Sequence, residues 1–521
     1  MAAVPLLAFS FCILYVLQKF LEYWRATRSI HNHAGYRTLF AQSSVISNFL
    51  SPVAGIAPGS NYLFLDKHRM FKYFGCDIHS AVSAWPKPTT TLLLADAAAI
   101  KEVCSSRSRF PKPIHHYTLL LFFGRNIVAS EGEEWKNYRK ISAPAFSDRN
   151  NRLVWEETVK IMDSLFKDVW GSQKVITTDH CVEVTLPIAL FVIGAAGFGR
   201  EISWKDDDVL PTGHKLTFKN ALHIVTTDIF LKLIVPDRAL GLTKRLSNVK
   251  LAFEELERYM SEMIKERQHS KQEVRHDLFS NLLDANDEDS GDAKLLVSEL
   301  IGNIFIFLVA GHETTAHTLC FTFAMLALYP DEQEILYQHI QSVLSSGKGP
   351  TYENMPLFTQ SMAVFYETLR MFPPVTGIPK ESAEDTSLAT TDAQGNQVVV
   401  PIPKGADITI HVPGLHYNPR YWSKPDSFIP SRFLGDWPRD AFLPFSAGAR
   451  ACLGRKFFET EGIAILTMLM SQYKIEVKEE PQFASETFAQ RKARILACRA
   501  GLTLTPIRVP LVFQRREQKP F

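Results

Sequence analysis

Phe445-Ser446-Ala447-Gly448-Ala449-Arg450-Ala451-Cys452-Leu453-Gly454 is the stretch on which the reading of this chain turns. Its fixed positions have the form F-x-x-G-x-R-x-C-x-G. Phe is 36, Gly 26 and Cys 7 of 521 residues, and with Arg at about one in twenty, chance gives the pattern in roughly six of a hundred thousand such chains. A cysteine between glycines, ahead of a helical pattern at Lys456 to Ser471, suits an anionic thiolate. The glycines Gly448 and Gly454 let the backbone turn tightly around the sulfur and aim N–H groups at it. The positive end of the following helix favours negative charge at Cys452. Arg450 is placed to pair with an acidic group on whatever the sulfur binds, and Phe445 to pack against the loop. A buried structural cysteine is the plainer alternative, and the spacing argues against it.

The other cysteines, Cys12, Cys76, Cys104, Cys181, Cys320 and Cys498, are scattered and never form a C-x-x-C pair. That argues against a disulfide framework, a structural zinc site and an iron–sulfur cluster, and for a reducing compartment. A net charge of +2 carries no nucleic-acid signature. No repeat of solenoid or propeller period is present. The many Phe residues suit either a large aromatic core or a roomy apolar pocket.

Working outward, Ala3 to Leu17 is an apolar run broken only by Pro5 and Ser10, followed by Lys19 and the interfacial Phe20, Tyr23 and Trp24. It lacks the basic start and cleavage site of a signal peptide. With Arg25, Arg28 and Arg37 on its C-terminal side, residues 1–24 read as a single-pass membrane anchor with the body, residues 25–521, on the cytosolic face. Residues 40–100 read as loops, short helices and a few strands. From Glu131 to about Arg370 the pattern is mainly helical, with an amphipathic helix at Leu251 to Arg267. Asp284 to Asp292 reads as a solvated acidic loop. Lys294 to Leu328 is a long apolar helix closed by Pro330. Thr386 to Val412 reads as strands around a Gln394-Gly395-Asn396 turn, and Leu502-Thr503-Leu504-Thr505 as a late strand. The body is therefore expected to be mainly α with a minor β region, in one large domain.

Three further patterns carry chemistry. Ala310-Gly311-His312-Glu313-Thr314-Thr315 places an acid and a hydroxyl inside the apolar helix, where Gly311 is expected to let the helix open locally. His312, Glu313 and His317 imitate the H-E-x-x-H zinc signature. The two His are five apart, about 140° around the helix, and cannot share one metal on one face. Glu367-Thr368-Leu369-Arg370 is an E-x-x-R pair one turn apart, followed downstream by Pro430-Ser431-Arg432-Phe433. Trp135 and Arg139 share a helix side at i, i+4.

In this order, the four motifs resemble those of the cytochrome P450 family, from about Gly124 to the C-terminus. The resemblance implies haem b held through the thiolate of Cys452, with Arg450, Trp135 and Arg139 on its propionates. Thiolate ligation pushes electron density onto iron and promotes O–O cleavage. It implies that Glu313 and Thr314 deliver protons, and that Glu367, Arg370 and Arg432 form a buried ion network. Ser431 stands where the family usually has Glu, and Lys380 where many members have Arg. The Pro-rich hinge that usually follows the anchor is missing. The expected activity is O2-dependent oxidation of a lipophilic small molecule, with electrons from NADPH through NADPH–cytochrome P450 reductase, at the endoplasmic reticulum membrane. The chain looks most like fungal microsomal members, which points to secondary-metabolite biosynthesis. Phe122, Phe123, Phe307 and Val375 are expected to line the pocket. An oxygen-independent haem-thiolate isomerase or dehydratase is the rival, and the Glu313–Thr314 pair speaks against it.

Overall fold

The computed structural model describes residues 3–42, 44, 46–47, 50–200, 204, 210–269, 277–287, 295–344 and 349–517. They form two compact interleaved units. The first comprises Met1–Pro113, Arg370–Phe428 and Trp437–Cys452; the second comprises Ile114–Leu369, Ile429–Asp436 and Leu453–Phe521. The chain returns to each unit, and one change-over falls inside the helix Thr359–Met371. No linker therefore divides the body.

The first unit begins with the helix Ala3–Ser29, which runs past the expected end at residue 24. Ile30, fully buried, docks its end. A five-stranded sheet follows, in the order Gly35–Phe40, Ile78–Trp85, Thr89–Leu94, Asp407–His411, Gly377–Glu381. The central strands carry β-branched and Leu residues such as Leu92, Ile408 and Ile410, all fully buried, as strands covered on both faces require. The hairpin Thr386–Thr391/Gln397–Ile402 pairs Leu388 with Val400. Gly395 at φ 87° makes its turn, and Asp392 accepts from the backbone N–H of Gln394 and Asn396.

The second unit is helical and is organised on Val297–Leu328. This helix is apolar on nearly every side, which places it in the core. Glu299 accepts from the Leu296 backbone at its start, and Pro330 opens the next helix. Among the described residues it is the one helix long and apolar enough to cross a membrane, and 78% of its apolar window is buried within the body. The helix Val182–Val192 packs along it. Arg455–Gln472 is a second buried helix, and a small sheet sets Leu511–Arg515 between Val175–Thr178 and Tyr473–Val477.

Three expectations are corrected. The acidic loop is in part a helix, because Leu278–Asp287 continues through Asp284, where apolar Leu282 and Leu283 anchor it to the core; residues 288–294 lie outside the described residues. Leu502 to Leu504 is not a strand: only Thr505–Pro506 pairs, with Cys498–Arg499. The core helix shows no local opening at Gly311 and remains helical throughout.

Candidate active site

The cysteine loop belongs to the first unit. It is closed by the Cys452 backbone N–H donating to the Phe445 carbonyl at 2.9 Å, with tighter turns from Ser446 to Leu443 and from Ala451 to Gly448. Ser446 and Gly448 both take left-handed backbone, at φ 59° and 66°. Gly448 has a second reason to be glycine: a Cβ there would stand 2.3 Å from the Cys104 carbonyl oxygen. Gly454, by contrast, has φ −80°, which any residue adopts, so the expected tight-turn role falls to Gly448 and Ser446. Phe445 and Arg450 are half-buried. Cys452 is exposed, whereas Cys76, Cys104, Cys181 and Cys320 are buried. Burial raises the thiol pKa of Cys76 and Cys104 and keeps them protonated, so they are poor ligands.

Behind the loop, His416 is fully buried and held neutral, its pKa pushed down to about 3 by burial. Its Nδ1 faces the Arg370 carbonyl at 3.0 Å, and its Nε2 accepts from the Leu443 backbone at 2.8 Å. Arg370, also fully buried, donates to the His416 carbonyl at 2.8 Å and the Ser427 carbonyl. The first unit also buries Lys380, whose charge reaches Cys104.

In the second unit, Glu367 is fully buried and accepts from the Ile429 backbone at 2.9 Å and Arg432 Nε at 3.1 Å. The structure joins Glu367 to Arg432. Trp135 is buried, with the Arg139 guanidinium 5.7 Å from its ring centre, as the i, i+4 spacing requires. Lys136 and Lys140 are exposed beside them. Phe123 is buried, stacks on Phe253 and meets Phe305 at a tilt.

The core helix carries the other half of the chemistry. Between Leu300 and Leu326 every residue is buried except Phe307, Ala310, Gly311 and Thr314. These lie at i, i+3, i+4 and i+7, one stripe about 10 Å long. Phe307 meets Phe146 edge-on, and a Cβ at Gly311 would stand 3.0 Å from Ile193, so Ala310 and Thr314 are the small accessible side chains against which a flat apolar group such as a haem would lie. The Thr314 hydroxyl donates to the Ala310 carbonyl at 2.7 Å and the Thr315 hydroxyl to that of Gly311 at 2.9 Å.

Glu313, next to the stripe, is buried. Its Oε1 accepts from the Thr503 hydroxyl at 3.1 Å, while its Oε2 has no hydrogen-bond partner. Burial pushes its pKa up to about 7 against the pull of Thr503, so it can both hold and release a proton near neutrality. Sequence reasoning missed several supporting residues. Thr503 looked like a strand residue, and His416 carried no motif. Glu461, whose Oε2 accepts from Thr315 at 3.3 Å and whose pKa burial raises well above the ordinary range, sits in a helix that reads as ordinary core.

A helical body on a minor sheet, an accessible Cys in a glycine turn and an acid–hydroxyl pair on a core helix define the class of haem-thiolate proteins. A family model for cytochrome P450 matches residues 52–499, and the chain belongs to that family. Its members bind haem b through an axial cysteine thiolate, and this chain is a cytochrome P450 monooxygenase, using O2 and a redox partner on small molecules. It is 52% identical to cytochrome P450 monooxygenase 124 of Postia placenta, over 99% of this chain and 100% of the relative. It is 29% identical to cytochrome P450 monooxygenase ORF6 of Penicillium roqueforti, over 74% of each chain. The crystal structure of the cytochrome P450DA haem domain superposes with a TM-score of 0.74, covering 93% of this chain and 98% of that one, at 20% identity.

Proposed function

We propose that this monooxygenase inserts one oxygen atom into a terpenoid-like or other lipophilic compound of fungal secondary metabolism, with Cys452 as the axial ligand. Arg450, Trp135 and Arg139 would hold the haem propionates, Phe445 would pack the ligand loop, and Gly448 and Gly454 would shape it. When bound, the haem supplies dioxygen binding and the one-electron steps that side chains lack. The chain's own part is proton handling. Glu313 holds a proton at Oε2, beside the accessible stripe, at a pKa that suits transfer at pH 7. Thr314, one residue on, brings a hydroxyl to the stripe that can orient water. Accessible Thr314 and buried Glu313 on successive residues of a core helix are the observation that carries the reading. Delivering protons to dioxygen calls for an acid and a hydroxyl placed in this way, which favours the monooxygenase reading over an isomerase.

Electrons are assigned to NADPH–cytochrome P450 reductase. The helix Ala3–Ser29 supports attachment to the endoplasmic reticulum membrane with the body in the cytosol. Phe9, Phe11, Leu14, Val16 and Phe20 are each more than 60% exposed on it, an apolar surface suited to contact with lipid. The test is Thr314→Ala, reconstituted with reductase and a lipophilic compound that shifts the haem spectrum. Haem content and the carbonyl spectrum should persist, while product per NADPH falls roughly tenfold or more. Unchanged coupling, or turnover without oxygen, would refute the proposal. Cys452→Ser should abolish the red-shifted carbonyl spectrum.

A further inference from the structure

We infer that Thr503 and His317 form the rear path by which Glu313 is reprotonated from solvent, an inference that rests on Glu313 acting as proton donor. Three side chains of the second unit meet at the Thr503 hydroxyl. His317 Nδ1 lies 2.8 Å from the Thr503 hydroxyl, and that hydroxyl donates to Glu313 Oε1 at 3.1 Å. His317 Nδ1 is itself 4.0 Å from Glu313 Oε1, so the hydroxyl is the bonded intermediary. All three side chains are buried. His317 lies one helical turn beyond Glu313, and Thr503 comes from the segment between the short strands Cys498–Arg499 and Thr505–Pro506.

Burial sets the protonation. It pushes His317 down to about 3 and Glu313 up to about 7, so this close pair is a neutral imidazole beside a carboxylic acid and not an ion pair. A neutral imidazole cannot store a proton there, but it can pass one. His317 also feels His312, His180 and Arg499. His312, pushed down to about 4, faces the Leu308 carbonyl through Nδ1, and His180 Nδ1 accepts from the Val509 backbone. Arg499 is exposed, which marks the side on which solvent is reached. Thr503 is therefore more than a spacer: it is the one hydrogen-bond partner of Glu313 among the described residues, and it leaves Oε2 bare.

The transfer balances. Glu313 releases the proton on Oε2 and becomes a carboxylate. The Thr503 hydroxyl gives its proton to Oε1 and takes the Nδ1 proton of His317, whose Nε2 takes one from water. A half-turn of the carboxyl about Cγ–Cδ brings the new proton to the open side; before the next transfer Nε2 returns its proton to water and Nδ1 takes one from water as the imidazole swings away from Thr503. One solvent proton moves and nothing is oxidised or reduced. His317 and Thr503 touch no reacting atom, so they are positioning and relay residues.

The test reads Glu313 directly, in the haem-loaded full chain. Its carboxyl C=O infrared band is assigned by its loss in Glu313→Gln and followed after a photolytic pH jump from about 8 to 6, across the value near 7. Thr503→Val, close in shape, should slow growth of the band roughly tenfold or more and move its titration midpoint upward, because a hydrogen bond to the charged form is lost. Thr503→Ser should restore both. His317→Phe should slow the growth yet leave the midpoint nearly in place, since the hydroxyl can still donate to Glu313. Wild-type rates in Thr503→Val and His317→Phe, or a Thr503→Ser as slow as Thr503→Val, would overturn the path. If Glu313→Gln instead keeps full product per NADPH, the proton-donor reading itself fails, and the two failures are distinguishable.

Discussion

Replacing Glu367 by Ala removes the acceptor for two donors at once. The carboxylate is fully buried and takes the Ile429 backbone N–H at 2.9 Å and Arg432 Nε at 3.1 Å. Removing one partner of a buried ion pair costs ~3–5 kcal/mol, because the survivor keeps its desolvation penalty. The stranded Ile429 N–H adds ~1–3 kcal/mol. The Arg432 side chain keeps 11% exposure, so water recovers part of its charge, and a total near ~4–6 kcal/mol is expected. That is comparable to the whole stability of many proteins, ~5–15 kcal/mol, so little haem-loaded protein should accumulate at any expression level. Glu367→Gln keeps an oxygen for Ile429 and should be intermediate. The assay is haem content and thermal midpoint of protein purified side by side. A Glu367→Ala protein that loads haem fully and melts within a degree or two of wild type would refute the reasoning.

Gly448→Ala should cost ~1–2 kcal/mol for the left-handed backbone alone, plus displacement of the loop from the Cys104 carbonyl, and should be read as weaker haem retention. Gly454→Ala, at ordinary φ, should retain haem; equal loss in both variants would contradict the loop geometry. Holding Glu313 protonated to about pH 7, against an ordinary value of 4.5, costs ~3 kcal/mol once the unfolded chain ionises. The native state binds the extra proton, so this cost is absent below about pH 4.5, grows as pH rises toward 7 and is constant above. Glu313→Gln should therefore gain thermal stability relative to wild type at pH 8 compared with pH 5, and a pH-independent difference would refute the shift. Removal of residues up to Trp24 should release most of the body from microsomes; full retention would show that the N-terminal helix is not the main anchor.

What the sequence made legible follows from which interactions are local. The Cys452 loop, the Trp135–Arg139 pair and the core helix are all specified within a few turns of chain, so spacing alone locates them. The ion network is half legible: E-x-x-R marks Glu367 and Arg370, but the Glu367–Arg432 bond and the route from Arg370 through His416 to Leu443 need the tertiary fold. Leu502 to Thr505 misled because alternating Leu and Thr has the period of a strand, whereas only Thr505–Pro506 finds a pairing partner. Phe123 and Phe307 show the same limit in the core. Both are large and apolar, yet one stacks on Phe253 and the other lies on the accessible stripe, and nothing in composition separates them.

His317 makes the point most sharply. Its spacing from His312 rules out one metal between them, and on that ground it looked spent. The same helix geometry places it one turn from Glu313, on the side where Thr503 arrives from 186 residues away. The five-residue interval that excludes a metal fixes a different relation: His312 Nδ1 faces its own helix at the Leu308 carbonyl, while His317 Nδ1 faces outward to Thr503. A sequence pattern can exclude a site by angle alone. It takes the incoming hydroxyl to show what the remaining angle is for.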